Sequence, residues 1–316
     1  MIYTLTLNPA VDRELTVSQV QYDTVLRASH ERIDFGGKGF NVSRLLQSLH
    51  TPSTAVGFLG GKSGEILQDG LKALGIATDF VWIPGETRTT VSIVDQSSGH
   101  YIKVNEKGPP VDSDKQAQLL EKIAALAQAG DWWVLAGSLP PRVPDSFYAD
   151  VIRLLHRHGA RAILDTSGES LRLGCQASPD MVKPNASEAR QLTGLPLETL
   201  TQAAAAAHSM HQIGAQNVII SLGQAGGLLR TAGAATWFAA SPPVLERNPT
   251  GAGDAMVGGL VWALAGGLSP QVALGWGVAC GAASASLDGT EMGTQAYIEE
   301  LFQQVLVEDA RVPDKG

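Results

Sequence analysis

An aspartate, Asp254, stands between a glycine-rich turn and a long apolar run in the stretch NPTGAGDAMVGGLVWAL, residues 248–264. Two chemistries fit. Asp is favoured at helix N-termini, where its oxygens accept unpaired backbone N–H groups and its charge suits the positive end of the dipole. Alternatively, Gly251, Ala252 and Gly253 leave amides open to an anion, with Asp254 beside it as a base.

Other stretches carry groups that such a site would use. FGGKGFNVSRLL, from residue 35, is a glycine turn feeding a helical pattern. It allows close backbone approach at Gly36, Gly37 and Gly39 and adds a cation at Lys38 and an amide at Asn41, which suits hydroxyls or a phosphate. It lacks the G-x-G-x-x-G spacing of a dinucleotide fingerprint. AGSLPP at 136–141 ends an apolar run and puts Ser138 at a strand's carboxyl edge, where open α/β sheets bind ligands. In KPNASE, residues 183–188, Asn185 and Glu188 are three apart and share a helix face once the helix has begun. That pair could orient a hydrated Mg²⁺, which takes few direct protein ligands, or Glu188 could serve the helix dipole. GFLGGKS at 57–63 invites a P-loop reading, but only three residues separate Gly57 from Gly61 where the pattern needs four. Ser63 is instead expected to cap the next helix. The histidine pair His156/His158 lies near a helix end among basic residues, and His208/His211 has no acidic or cysteine companion at hand, so neither predicts a metal site.

The elements that must position these groups follow a regular rhythm. IYTLTLN, TAVGFLG, WWVLAG, RAILD and NVIISLG read as strands, separated by helical patterns such as KGFNVSRLLQSL, GEILQDGLKAL and DSFYADVIRLLHRH. Gly75 is placed to end the second of these helices. Such alternation predicts a mainly parallel sheet with helices on both faces. Two segments break it. Residues 13–35 show β-like runs without a helical period, and 88–104 read as a hairpin, RTTVSIVD and HYIKVN around QSSG. These four or so strands are expected to pair into a small sheet covering the main domain as a lid, with 1–316 forming one unit.

Composition bounds the function. Hydrophobic residues make up 44% and charged residues 17%, which supports a large core and argues against disorder. The net charge of −8 argues against non-specific binding to nucleic acid or an acidic membrane, but leaves room for a local basic cluster around a small anion. The two cysteines, Cys175 and Cys280, form no metal or disulfide pattern and suit a reducing cytoplasm. The start MIYTLTLNPAVD has no basic leader, and Gly266, Gly267 and Pro270 divide the apolar stretch 255–287 into two buried helices rather than a membrane span.

In order, TLNPAVD, GGKGFNVSRLL, GETRTT, NEKGP, AGSLPP, LDTSGE, VKPNASE, SLGQAGG and NPTGAGDAMVGG resemble the motifs of the ribokinase-like, PfkB-type sugar kinases, in the branch that phosphorylates ketohexose phosphates. The resemblance spans nearly the whole chain. It implies a ribokinase-like three-layer α/β/α domain with a mainly parallel central sheet and a small β-sheet lid. By the same resemblance Asp254 is the catalytic base, and the amides of Gly251, Ala252, Gly253 and Asp254 form an anion hole. Asp12, Gly37, Lys38 and Asn41 would hold the sugar hydroxyls, and Arg27, Arg88, Lys103 and Ser138 the substrate's existing phosphate. Some relatives carry arginine near Lys103, and a lysine there cannot make the bidentate fork. Lys183, Asn185, Ser221, Gly223, Gly226 and Thr250 would bind nucleotide, with Asn185 and Glu188 reaching Mg²⁺ through water.

The implied reaction moves a phosphoryl group from ATP to a ketohexose monophosphate, fructose 1-phosphate first, with fructose 6-phosphate and tagatose 6-phosphate as alternatives. The implied partners are these small molecules and, through the lid edges, a second copy of the chain. A non-catalytic sugar-phosphate sensor on this scaffold would be expected to lose its base or anion hole. Asp254 and its glycines are intact.

Overall fold

The computed structural model describes residues 1–310; residues 311–316, the end of the expected single unit, lie outside the described residues. The chain opens with β1 (Ile2–Thr6), followed by β2 (Ala10–Val17), β3 (His30–Gly36) and α1 (Lys38–Ser48). Next come β4 (Thr54–Leu59), α2 (Gly61–Ala73), β5 (Ala77–Trp82), β6 (Arg88–Asp95), β7 (Tyr101–Asn105) and α3 (Ser113–Leu126). Alternation resumes with β8 (Trp132–Ala136), α4 (Phe147–Arg157), β9 (Arg161–Asp165), α5 (Gly168–Gln176) and β10 (Met181–Val182). Helices α6 (Ala186–Thr193) and α7 (Leu200–Ile213) lead to β11 (Val218–Ser221), β12 (Gly226–Arg230) and β13 (Thr236–Ala240). Three helices, α8 (Ala252–Ala265), α9 (Pro270–Ala285) and α10 (Gln295–Phe302), precede the edge strand β14 (Val307–Asp309).

Ten strands form one sheet in the order β14-β13-β12-β11-β10-β9-β8-β1-β4-β5. From β11 to β5 every pairing is parallel, and the β12, β13 and β14 edge is antiparallel. The parallel strands are buried on both faces, which is why they read as continuous apolar runs rather than alternating ones. In β8, Trp133 and Leu135 enter the core under α3 to α7, while Trp132, Val134 and Ala136 enter the opposite core under α1, α8 and α9. Three layers result. The α8–α9 pair confirms the two buried helices expected from 255–287, and glycine makes their approach possible. A Cβ at Gly259 would lie 2.6 Å from Cys280 Sγ, and one at Gly277 2.9 Å from the Leu260 side chain. Among the described residues no helix is long and apolar enough to cross a membrane.

The second sheet has four strands in the order β3-β2-β6-β7. Its strands differ from the expected span in one respect. They cover 10–17 and 30–36, and residues 18–29 between them form no strand. Ser63 also departs from expectation. The N-cap of α2 is Gly60, and Ser63 lies inside the helix with its amide donated to the Glu86 carboxylate. Gly75 follows the Leu74 C-cap with φ 76°, as anticipated.

Candidate active site

Because β1 has β8 on one side and β4 on the other, the chain's connections part at β1, and a crevice opens at the carboxyl ends of these strands. A cavity of roughly 1200 Å³ opens beside it at the carboxyl ends of β9, β10 and β11, where Asp165, Lys183 and Ser221 line it, between the small sheet and the starts of α1, α6 and α8. Gly251 is the N-cap of α8, with φ 86°, and no side chain caps it. Asp254 therefore does not serve as the cap. It lies in the first turn, only 8% exposed, and accepts a hydrogen bond from Asn41 Nδ2 at 2.8 Å. Gly251, Ala252, Gly253 and Asp254 all line the cavity. The Ala252 amide also turns back to the Pro249 carbonyl at 3.2 Å, so it is not wholly free for an anion. Burial, reinforced by the charge of Asp165, pushes the Asp254 carboxyl up to about 6, against the pull of Lys38, Asn41 and Lys183.

Asp165, which the motif reading did not single out, ends β9 at 1% exposure. Lys38 Nζ reaches both of its oxygens at 3.3 Å, and Lys183 Nζ lies 3.4 Å from Oδ1. Burial opposes charge on Asp165, but Lys183 and Lys38 hold its carboxyl below the usual range. Burial likewise opposes charge on Lys38, and Asp165, Asp254 and Glu188 outweigh it and raise its pKa. A Cβ at Gly253 would stand 3.6 Å from Lys183 Nζ, so this ammonium also adjoins the α8 N-terminus.

The small sheet supplies the opposite wall. Asp12, Thr90, Arg88, Lys103 and Asn105 line the cavity. Burial raises the Asp12 pKa, and Lys103, a hydrogen bond from Thr90, and Arg88 counteract it. Gly36 is required beside Asp12, because a Cβ there would fall 2.4 Å from Asp12 Oδ2. Arg88 donates to the Asn8 carbonyl at 3.0 and 3.2 Å and to the Glu106 carbonyl at 3.1 Å, tying the sheet to the main domain. It also lines a neighbouring pocket of about 400 Å³ that holds Ser138 and Lys107. Ser138 thus joins through Arg88 rather than lining the main cavity.

Arg27 is not brought into the cavity. β2 lines it at Ala10 and Asp12, and Arg27 lies in the 18–29 segment that follows the other end of that strand. Arg27 is exposed there.

At the other end, Ser221, Gly223 and Gly226 frame the β11–β12 turn, and Thr250 precedes the α8 cap. Gly226 has φ 110° and a Cβ there would sit 2.0 Å from the Ala239 carbonyl, so no side chain fits. Asn185 and Glu188 form a reciprocal capping box at α6: Asn185 Oδ1 accepts from the Glu188 amide at 2.9 Å, and Glu188 Oε2 accepts from the Asn185 amide at 2.8 Å. The N-x-x-E spacing is the sequence signature of that box. Both readings of Glu188 survive, since the box uses one carboxylate oxygen and the residue still lines the cavity. No group of three or more His, Cys, Asp or Glu side chains among the described residues could cage a metal.

The model of the pfkB family of carbohydrate kinases matches residues 5–296. The chain is 34% identical over 307 residues to 1-phosphofructokinase of Bacillus subtilis, covering 97% of this chain and 99% of that protein. It is 32% identical over 310 residues to tagatose-6-phosphate kinase of Staphylococcus epidermidis, covering 97% and 99%. Phosphofructokinase-2 from Escherichia coli superimposes with a TM-score of 0.90 at 30% identity, covering 96% of this chain and 98% of that one. The chain belongs to the pfkB family of carbohydrate kinases.

Proposed function

We propose that the chain is an ATP-dependent ketohexose-phosphate kinase whose preferred acceptor is fructose 1-phosphate, giving fructose 1,6-bisphosphate and ADP. One observation carries this reading. A buried carboxylate, Asp254, lies in the uncapped first turn of α8 and shares a single cavity with Lys38, Lys183, Arg88 and Lys103. Phosphoryl transfer needs little covalent help from a protein: in-line positioning, positive charge on the migrating group and a base at the nucleophile.

In the proposed step Asp254 takes the proton from the sugar's primary hydroxyl as its oxygen attacks the γ-phosphorus. The bond from that phosphorus to the bridging oxygen breaks, and the electron pair leaves with ADP. The amides at the start of α8 and the Lys38 and Lys183 ammoniums face the growing charge. Asp12 and Asn41 orient hydroxyls, while Arg88 and Lys103, with Ser138 beside Arg88, hold the phosphate already present. Ser221, Gly223, Gly226 and Thr250 cradle the nucleotide. Asn185 and Glu188 suit a Mg²⁺ that keeps most of its waters, since oxygen donors are present and a full cage is not. The chemistry Mg²⁺ supplies when bound is neutralisation of phosphate charge. The small sheet acts as a lid that excludes water and so favours transfer to sugar over hydrolysis.

Tagatose 6-phosphate is the second reading, favoured by the likeness to the Staphylococcus epidermidis enzyme. ADP release measured in parallel with fructose 1-phosphate, fructose 6-phosphate and tagatose 6-phosphate decides between them. The highest kcat/KM is expected with fructose 1-phosphate, and a higher value for either rival reassigns the acceptor.

The same reading places the enzyme in the cytoplasm as a homodimer paired through the small sheets. Tyr101 and Val104 of β7 are 67% and 60% exposed, and apolar side chains on an edge strand need cover. Sedimentation equilibrium is expected to give a dimer that Tyr101→Lys dissociates; a monomeric wild type would end the proposal.

A further inference from the structure

We propose that Asp165 is a positioning residue that holds Lys38 and Lys183 off the base, fixing both ammoniums beside the phosphoryl path. This rests on the kinase reading above. Three elements converge to build the arrangement: Lys38 opens α1, Asp165 closes β9 and Lys183 follows β10. Asp165 is 1% exposed and Lys183 3%, so neither charge has solvent to lean on. Each must be answered by the protein.

Lys38 and Lys183 face two aspartates, Asp165 and Asp254, in this corner, with Glu188 of α6 adding a third carboxylate that acts on Lys38. The arrangement matters for the base. Asn41 Nδ2 takes one oxygen of Asp254, at 2.8 Å, and both lysines act on Asp254 through space without an ion pair to it. Without Asp165, Asp254 and Glu188 are the anions left acting on Lys38, and Asp254 is the stronger of the two. A direct ion pair there would stabilise the carboxylate, weaken it as a proton acceptor and draw the cations away from the transferring group. The other groups around Asp254 do not take over this role. Asn41 and Arg44 approach from α1, where Arg44 donates to Thr290 Oγ1 at 2.9 Å, and α9 carries no charged side chain. Asp165 thus sets both where the lysines stand and how basic Asp254 is.

The experiment compares Asp165→Asn and Asp165→Glu with wild type, using fructose 1-phosphate, ATP and Mg²⁺ from pH 5 to 8. In Asp165→Asn, kcat is expected to fall about 100-fold. The acidic limb of its kcat profile is expected to move to lower pH, because the lysines then act on Asp254 unopposed. In Asp165→Glu the negative charge remains but its reach changes, so kcat falls while the limb stays where wild type has it. That variant also carries the test if Asp165→Asn does not fold.

Wild-type kcat in either folded variant overturns the proposal. So does an Asp165→Asn profile whose acidic limb coincides with wild type, which would mark a purely structural role. Recovery of kcat at high Mg²⁺ would assign Asp165 to the metal instead and overturn it as well. The kinase reading fails separately, by absence of ADP release from wild type with any of the three sugar phosphates, and this role then falls with it.

Discussion

Two helices, α2 and α8, begin at glycine turns that look alike in sequence, GFLGGKS and NPTGAGD, yet their N-termini have different fates. At α2 the chain fills its own anion site. Glu86 accepts from the Ser63 amide, Thr87 Oγ1 accepts from the Gly60 amide at 2.9 Å, and a Cβ at Gly61 would meet Glu86 Oε2 at 1.9 Å. At α8 no side chain caps the turn, and the Ala252 amide reaches the Pro249 carbonyl at 3.2 Å. The nearest atom to a Cβ on Gly251 would be Asn41 Nδ2, at 3.8 Å, and the turn faces the large cavity. A helix N-terminus attracts negative charge whatever its use. What separates structure from chemistry is whether the protein supplies that charge itself or leaves the place to a ligand, with a carboxylate in reach to accept a proton.

Substitutions at the two turns should therefore separate cleanly. The largest effect belongs to Asp254→Asn, for which kcat should drop about 1000-fold or more while the affinity for a non-hydrolysable ATP analogue stays within about threefold by calorimetry. Near-normal turnover would make α8 a second structural start, no different from α2. Arg88→Ala comes next. It should raise KM for the sugar phosphate about tenfold with kcat largely kept, as removal of a charge-assisted contact would. An unchanged KM would remove Arg88 from the phosphate site and leave it as the tie between sheet and domain. Glu86→Ala is the smallest. Loss of the α2 cap should lower Tm by about 2 °C and leave both kinetic constants at wild-type values. A fall in kcat there would erase the contrast.

The β/α rhythm was legible because strands buried on both faces, such as WWVLA and RAILD, are apolar throughout, and because glycines and prolines mark where they end. The hairpin at 88–105 was legible from its turn residues. The motif residues that line the cavity were legible because each sits in a short pattern at a strand end or helix start. Pairings across long separations were not. Glu86 fills the α2 turn from 23 residues away, so the local pattern suggested Ser63 as the cap instead. Asp165 meets Lys38 across 127 residues, and LDTSGE alone does not say which cations converge on it. The β-like runs of 13–35 hid a break in the strands, and Arg27 falls in that break, outside the lining of the cavity.

In the proposed reaction the open amides of α8, beside Asp254, receive the migrating phosphoryl group. The most direct test is a structure of the protein with ADP, Mg²⁺, fructose 1-phosphate and aluminium fluoride, which mimics that group in flight. The fluoroaluminate is expected against the amides of Gly251 to Asp254, with the sugar's free primary hydroxyl within hydrogen-bond reach of the Asp254 carboxylate. A fluoroaluminate bound away from α8, or a sugar hydroxyl out of reach of Asp254, would contradict the proposed reaction.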